Sequence, residues 1–475
     1  MRRRQLMRLT TATMLGASAL PRRATAAADA DVIVIGAGIS GLYAASLLKE
    51  QGAKVRVLEA KSHVGGRLLS LRKLDGAPEA GGDSILGGYG RVRDVAVKLG
   101  LKLIDFEQRR SREKPEIAIG GKVIPRTAWP THPLNLLPTD GKQEFPGRRY
   151  FEKVVDQHNP LASASDWVEP ASKTYDESVY AFLRRRGWSD EAIAQNYETN
   201  IGRGTSAHDC SILTWFFRRA WDKIQTDIEN VALKVSGGNQ SLPEAMAAKL
   251  GDAVLLNRPV VGVRTTNSGV EVHCQDGSSY SAKFLICATP IAPLRSIKFD
   301  PALPLAVAKA IRLVPTMMIT KVFLSARKPF WEADGLSPAM WTDTFAGEIG
   351  ALRQAEDSDR VTGLIMRIRG FTSQRLDTLS EKEAGALVIS EYEKLRPAAK
   401  GLLEVVGYKS WTKDPYARGT WVEWAPGQIH EFLPELVKPA GRIHFAGEHA
   451  SLANRGMEAA MEAGERAAVE IMGRL

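Results

Sequence analysis

At 475 residues the chain is too long for one ordinary core and is read as two or three domains. Hydrophobic residues at 44% and charged residues at 25% are the proportions of a soluble globular protein. The net charge of +10 is scattered over short clusters, Arg2 to Arg4, Arg109 to Arg112, Arg184 to Arg186 and Arg218 to Arg219, with no nucleic-acid module around them. It reads as a solvated basic surface, and no nucleic-acid partner is expected.

The first 28 residues have a charged start, a modestly apolar middle from Leu9 to Leu20 and small residues at Ala24 to Ala28, the pattern of an export signal. Arg3 and Arg4 resemble a twin-arginine motif, which carries folded proteins and points to a periplasmic or secreted destination. No later stretch has the roughly twenty apolar residues that span a bilayer, so stable membrane insertion is not expected.

Asp31 to Arg67 organise the rest. Val32 to Ile35 predict a buried parallel strand, and Gly36, Gly38 and Gly41 fit G-x-G-x-x-G. The first glycine permits the turn, the second admits a pyrophosphate, and the third lets the following helix lie against the strand. Ile39 and Ser40 open that helix, whose N–H groups and dipole face the phosphates. Lys54 to Leu58 predict the next strand, and Glu59, with Ala60 after it, stands where a carboxylate accepts a ribose diol. This segment alone leaves NAD, NADP and FAD open.

A glycine-rich passage follows, Glu79 to Gly82 with Asp83 and Ser84, then a helix over 91–99. From about residue 107 prolines break the pattern. Helices are expected over 175–186, 189–200 and 211–224, with Asp176 and Asp190 near their starts, and over 243–250. Strands 260–264, 270–274 and 279–282 form a meander, and 284–288 an apolar strand. Strands near 317–324 and 361–367, a helix over 381–395, a strand over 442–446 and a closing helix over 457–474 complete the chain. Three cysteines and eight histidines show no ligand spacing, so neither a metal nor a disulfide framework is expected.

These residues together resemble the flavin amine oxidase family, which includes monoamine, polyamine and L-amino-acid oxidases. Beside the dinucleotide motif, the resemblance rests on Val64-Gly65-Gly66-Arg67, on Gly447-Glu448 and on the helix beginning at Met457. It implies an α/β fold in which a discontinuous Rossmann-like FAD-binding domain (29–106, 231–298 and 435–475) carries a mixed α+β substrate-binding domain (107–230 and 299–434). It implies FAD rather than NAD, with Gly81, Gly82, Asp83, Ser84, Val260 and Trp411 beside it. Oxidation passes a hydride from the carbon next to an amine nitrogen to flavin N5, and the resulting imine hydrolyses. Lys321 matches the lysine that holds a water against N5, and Trp421 one wall of an aromatic cage around the amine. At the other wall this chain has Gly456, which leaves the cage half open. Gly419 stands where some members attach FAD through cysteine, so the flavin is expected to be non-covalent. Ser84 stands where L-amino-acid oxidases carry a carboxylate-binding arginine, which favours an amine over an amino acid. An L-amino-acid oxidase, a desaturase or protoporphyrinogen-oxidase-like enzyme, and a non-catalytic electron-transfer flavoprotein are the alternatives. Oxygen or a periplasmic carrier is the expected acceptor, and a homodimer is one possible assembly.

Overall fold

The computed structural model describes residues 29–105, 114–200, 206–353 and 360–475. The segment expected to be an export signal and the Arg109 to Arg112 cluster lie outside the described residues.

Three sheets organise the described residues. In the largest, β1 (Ala30–Ile35) lies between β2 (Val55–Leu58) and the strand Ser279–Cys287, parallel to both. β1 is almost fully buried, as its β-branched run requires of a strand covered on both faces. The meander Val260–Thr265 and Val270–Cys274 continues the sheet on one side to Lys298–Asp300, and Val254–Leu255 ends it on the other.

The two strands expected over 279–282 and 284–288 are a single strand. Exposed Lys283 interrupts the apolar pattern, but its ammonium pairs with Asp31 at 2.8 Å and the backbone runs straight through. The first half of this strand pairs antiparallel with 270–273. Its second half takes Ile443–Phe445 on the freed edge, in parallel. The last strand of the chain is thereby returned to the sheet of the first, with Ser279–Cys287 between them.

α1 (Ile39–Glu50) follows β1 and packs on the closing helix Gly456–Met472. Both contacts of α1 depend on missing side chains. A Cβ on Gly41 would stand 2.1 Å from the Gly36 carbonyl oxygen, and one on Gly464 would stand 2.4 Å from that of Ser40. The third motif glycine is therefore a packing residue between helix and strand.

The second sheet runs in the order 403–410, 319–326, 361–369, 348–353, 340–342, 116–119 and 122–124. The helix Glu381–Leu395 forms as expected, capped by Ser380 and Glu383 in a reciprocal capping box. A third, small sheet joins Ile85–Leu86, Ala232–Val235 and Leu103–Asp105.

The helices of the middle region start later than expected and are capped by serine. Ser178, Ser189 and Ser211 accept hydrogen bonds from the backbone N–H groups of Ala181, Ala192 and Leu213. Asp176 instead accepts from the Ser211 hydroxyl and the Gly427 N–H, tying two distant segments together. All three cysteines are free and buried. Among the described residues no helix is long and apolar enough to cross a membrane.

Candidate active site

One cavity of about 760 Å³ runs from the β1–α1 turn to the second sheet. At the nucleotide end its wall includes Gly36, Gly38, Ile39, Ser40, Glu59, Ala60 and Val260. Gly38 is the N-cap of α1, and neither a capping side chain nor a first-turn acid occupies the helix start. Its orphan N–H groups and positive dipole end are thus left for an anion. The buried Ser40 hydroxyl oxygen has no hydrogen-bond partner there.

The Gly65–Gly66 turn lies directly against this segment. Gly66 has φ +58°, and a Cβ on it would come within 3.2 Å of the Gly38 Cα. The two glycine turns form one cradle of bare backbone. Glu59 is buried, and its carboxylate accepts from Ala37 N–H at 2.7 Å and Lys61 N–H at 2.9 Å. Burial raises its pKa while these two donors oppose the rise. Its remaining lone pairs are suited to hydroxyl donors.

In the middle of the cavity, Trp411 is buried with its indole N–H on the Ala80 carbonyl at 2.8 Å. Lys61 and Lys409 share the Asp414 carboxylate beside it, at 2.6 and 2.5 Å. Arg67 donates to the Thr420 carbonyl and faces Glu448 at 3.4 Å. Burial pushes the Glu448 pKa up, and the positive charges of Arg67 and Arg455 pull against it. Val422 N–H also donates to Glu448 at 3.4 Å, so Gly447-Glu448 fixes the chain segment that presents Trp421.

Lys321 sits on strand 319–326 of the second sheet, paired on both sides by 361–369 and 403–410, and is 6% exposed. Its ammonium donates to the Glu79 and Gly81 carbonyls, both at 3.0 Å. Two of its three N–H groups are thereby used on the glycine-rich passage. Desolvation lowers its pKa to about 8, against the attraction of Asp83 and Glu79. Glu79 is itself raised by burial to about 7, although Asn239 N–H and the Ser70 hydroxyl both donate to it.

Lys321, Gly81, Gly82, Asp83, Ser84, Gly65, Gly66, Arg67, Trp411, Trp421, Gly447, Glu448, Gly456 and Met457 all line the cavity. Gly41 alone among the expected residues does not, since it packs inside the helix–strand contact. Arg91 stays out of the cavity wall, held by Glu458 at 3.0 Å and Glu465 at 2.7 Å. Tyr89, Trp221, Trp341, Arg367 and Arg369 also line it and carry no motif. Trp221 belongs to the same helical stripe as buried Thr214, Phe217 and Gln225. That spacing is the spacing of a core face and gives no sign of a cavity.

A family model described as flavin-containing amine oxidoreductase matches residues 39–472. The chain belongs to this family. Amine oxidase B of Homo sapiens is 29% identical over 462 residues, covering 93% of this chain and 86% of the relative. The amine oxidase of Oncorhynchus mykiss is 28% identical over 462 residues, covering 93% and 85%. Among solved structures, the cyclohexylamine oxidase of Brevibacterium oxydans superposes with a TM-score of 0.74 at 25% identity, covering 94% of this chain and 99% of that one. A putrescine oxidase bound to putrescine gives 0.73 at 26%, with the same coverage. This amine oxidoreductase is therefore an FAD-dependent enzyme of the amine oxidase fold. The unpartnered helix start, the orphan Ser40 hydroxyl and the paired glycine turns fit such a dinucleotide.

Proposed function

We propose that this enzyme oxidises a small amine with non-covalently held FAD after export from the cytoplasm. The observation that carries the reading is the single cavity joining the dinucleotide cradle at Gly38 to Lys321 and Trp421. FAD, when bound, supplies the hydride acceptor for the carbon beside the amine nitrogen. The chain's residues supply its position and surroundings. Bare backbone at Gly36, Gly38 and the start of α1 takes the pyrophosphate, Glu59 the ribose hydroxyls and Val260 the adenine.

At the reacting end, the dipole of the helix beginning at Gly456 favours negative charge near Met457. Lys321, pinned on two carbonyls, keeps one N–H free to hold a water. The Trp421 ring offers its face to the amine. Water then converts the released imine to a carbonyl product and ammonia or a smaller amine.

Non-covalent binding is supported at Gly419. With φ +123° and a Cβ position 2.3 Å from the Thr316 hydroxyl, that site has no room for a linking side chain. Denaturation should release all of the flavin to the supernatant. Flavin that stays with the precipitate contradicts this part of the reading. The proposed division into an FAD domain (29–106, 231–298, 435–475) and a substrate domain (107–230, 299–434) is supported by the membership of the two large sheets, with Lys298–Asp300, at the boundary, pairing in the FAD-side sheet. Oxygen or a periplasmic carrier is the proposed acceptor. Peroxide formed in step with the carbonyl product indicates oxygen, and carbonyl without peroxide indicates a carrier. Carbonyl formation from an amine tests the whole reading, and its absence with FAD-loaded enzyme rejects it.

A further inference from the structure

At the start of the helix Gly456–Met472 the cavity wall lacks a side chain, yet the space is taken. Gly456 has φ +63°, and a Cβ built there would stand 2.7 Å from the hydroxyl oxygen of Tyr89 and 3.7 Å from its Cζ. Tyr89 comes from the other end of the chain, immediately before the helix Gly90–Lys98. It is 5% exposed and lines the cavity with Lys321, Trp421 and Gly456.

Tyr89 is held from behind. Its ring centroid lies 5.8 Å from that of Trp221, tilted by 53°. The Trp221 indole N–H donates to the Asn454 side-chain oxygen at 3.2 Å, and Asn454 donates in turn to Glu462 at 2.7 Å. The Arg455 guanidinium stands 5.8 Å from the Trp221 ring centroid. The rings of Tyr89 and Trp221 are thus tied to the same turn that carries Gly456. The Tyr89 hydroxyl oxygen stands against Gly456 on the cavity wall and is not among the buried polar atoms left without a partner. From that position a polar atom of a ligand can replace water at the hydroxyl with a hydrogen bond of its own.

We propose that Tyr89, backed by Trp221, is the specificity-determining wall at Gly456, its ring limiting the size of the amine and its hydroxyl hydrogen-bonding a polar atom of it. The assignment rests on the amine-oxidation reading. It makes the open position at Gly456 an exchange of one wall for another: a side chain at 456 and the phenol of Tyr89 exclude each other. The substrate class that fits is a compact amine with an apolar body to lie on the rings.

Anaerobic stopped-flow reduction of the FAD enzyme by benzylamine, cyclohexylamine, putrescine and tyramine tests this. With the amine that reduces wild type best, Tyr89→Phe should raise the apparent Kd about three- to tenfold, the worth of one hydrogen bond, while the limiting reduction rate changes less than about twofold. Tyr89→Ala should raise Kd further. Gly456→Ala should impair the wild-type background more than the Tyr89→Phe background, because the colliding oxygen is then absent. A merely structural tyrosine would not give that coupling. Unchanged Kd in both Tyr89→Phe and Tyr89→Ala overturns the assignment while leaving amine oxidation intact. If dithionite reduces wild type and no amine does, the underlying reading fails and the assignment falls with it.

Discussion

Lys321 was legible because an ammonium between Thr320 and Val322 in an apolar strand needs a reason to be there. The structure gives half of that reason, two backbone carbonyls at 3.0 Å. Lys321→Met should keep FAD and slow flavin reduction or reoxidation, measured in separate anaerobic and oxygen-mixing experiments. Unchanged rates in both remove Lys321 from the chemistry. The same residue has a pH signature. Its pKa is held near 8 in the folded state against 10.5 unfolded, so folding carries the full cost of the charge below pH 8 and loses that cost as pH rises toward 10.5. The stability difference between Lys321→Met and wild type should therefore shift by roughly 3 kcal/mol toward wild type across that window. Chemical denaturation at pH 7.5 and pH 10.5 measures it, and a pH-independent difference contradicts the assignment. Trp421→Ala should cut amine oxidation about tenfold or more with FAD content unchanged, as expected for loss of a ring against an amine. Full activity makes Trp421 a packing residue. Tyr89 could not be found this way: in a run of glycines a tyrosine shows no period, and only the chain's return at Gly456 gives it a task.

Among the elements, those fixed by local pattern were readable and those fixed by partners were not. β1, α1 and the helix Glu381–Leu395 declare themselves by β-branched runs, glycine spacing and a capping box. Strands 116–119 and 340–342 pair across more than two hundred residues of sequence, which no window detects, whereas 122–124 joins 116–119 through a local hairpin at Gly120-Gly121. The strand Ser279–Cys287 was split in expectation by Lys283, whose partner Asp31 is remote in sequence. At this scale Gly41 offers the sharpest test. Gly41→Ala places a Cβ 2.1 Å from the Gly36 oxygen, with Val34 and Ala288 at 3.0 and 3.1 Å, so strand and helix must separate. Overpacking of this kind costs on the order of 1–3 kcal/mol or more. The variant should melt lower and lose FAD on gel filtration, although residue 41 does not line the cavity. Retention of both stability and FAD would show that the contact can relax.

For the described residues as a whole, the first and last elements are brought together: the last strand pairs with Ser279–Cys287, the neighbour of β1, and the last helix packs on the first. The dinucleotide cradle is built where the chain begins and ends, while Lys321 and Trp421 arrive from the second sheet and its exit segment. The proposed export belongs to the same scale. Replacing Arg3 and Arg4 together by Lys should leave the enzyme in the cytoplasm of an expressing bacterium, with fractionation followed by FAD fluorescence as the check. Undiminished periplasmic enzyme contradicts a twin-arginine route. The central claim is that the second sheet turns this dinucleotide site into an amine-oxidising one. Its most direct measurement is flavin absorbance after oxygen-free mixing with a panel of primary and secondary amines. At least one amine should bleach the flavin within the mixing experiment, and dithionite should add nothing further. Bleaching by dithionite alone, with every amine inert, would contradict it.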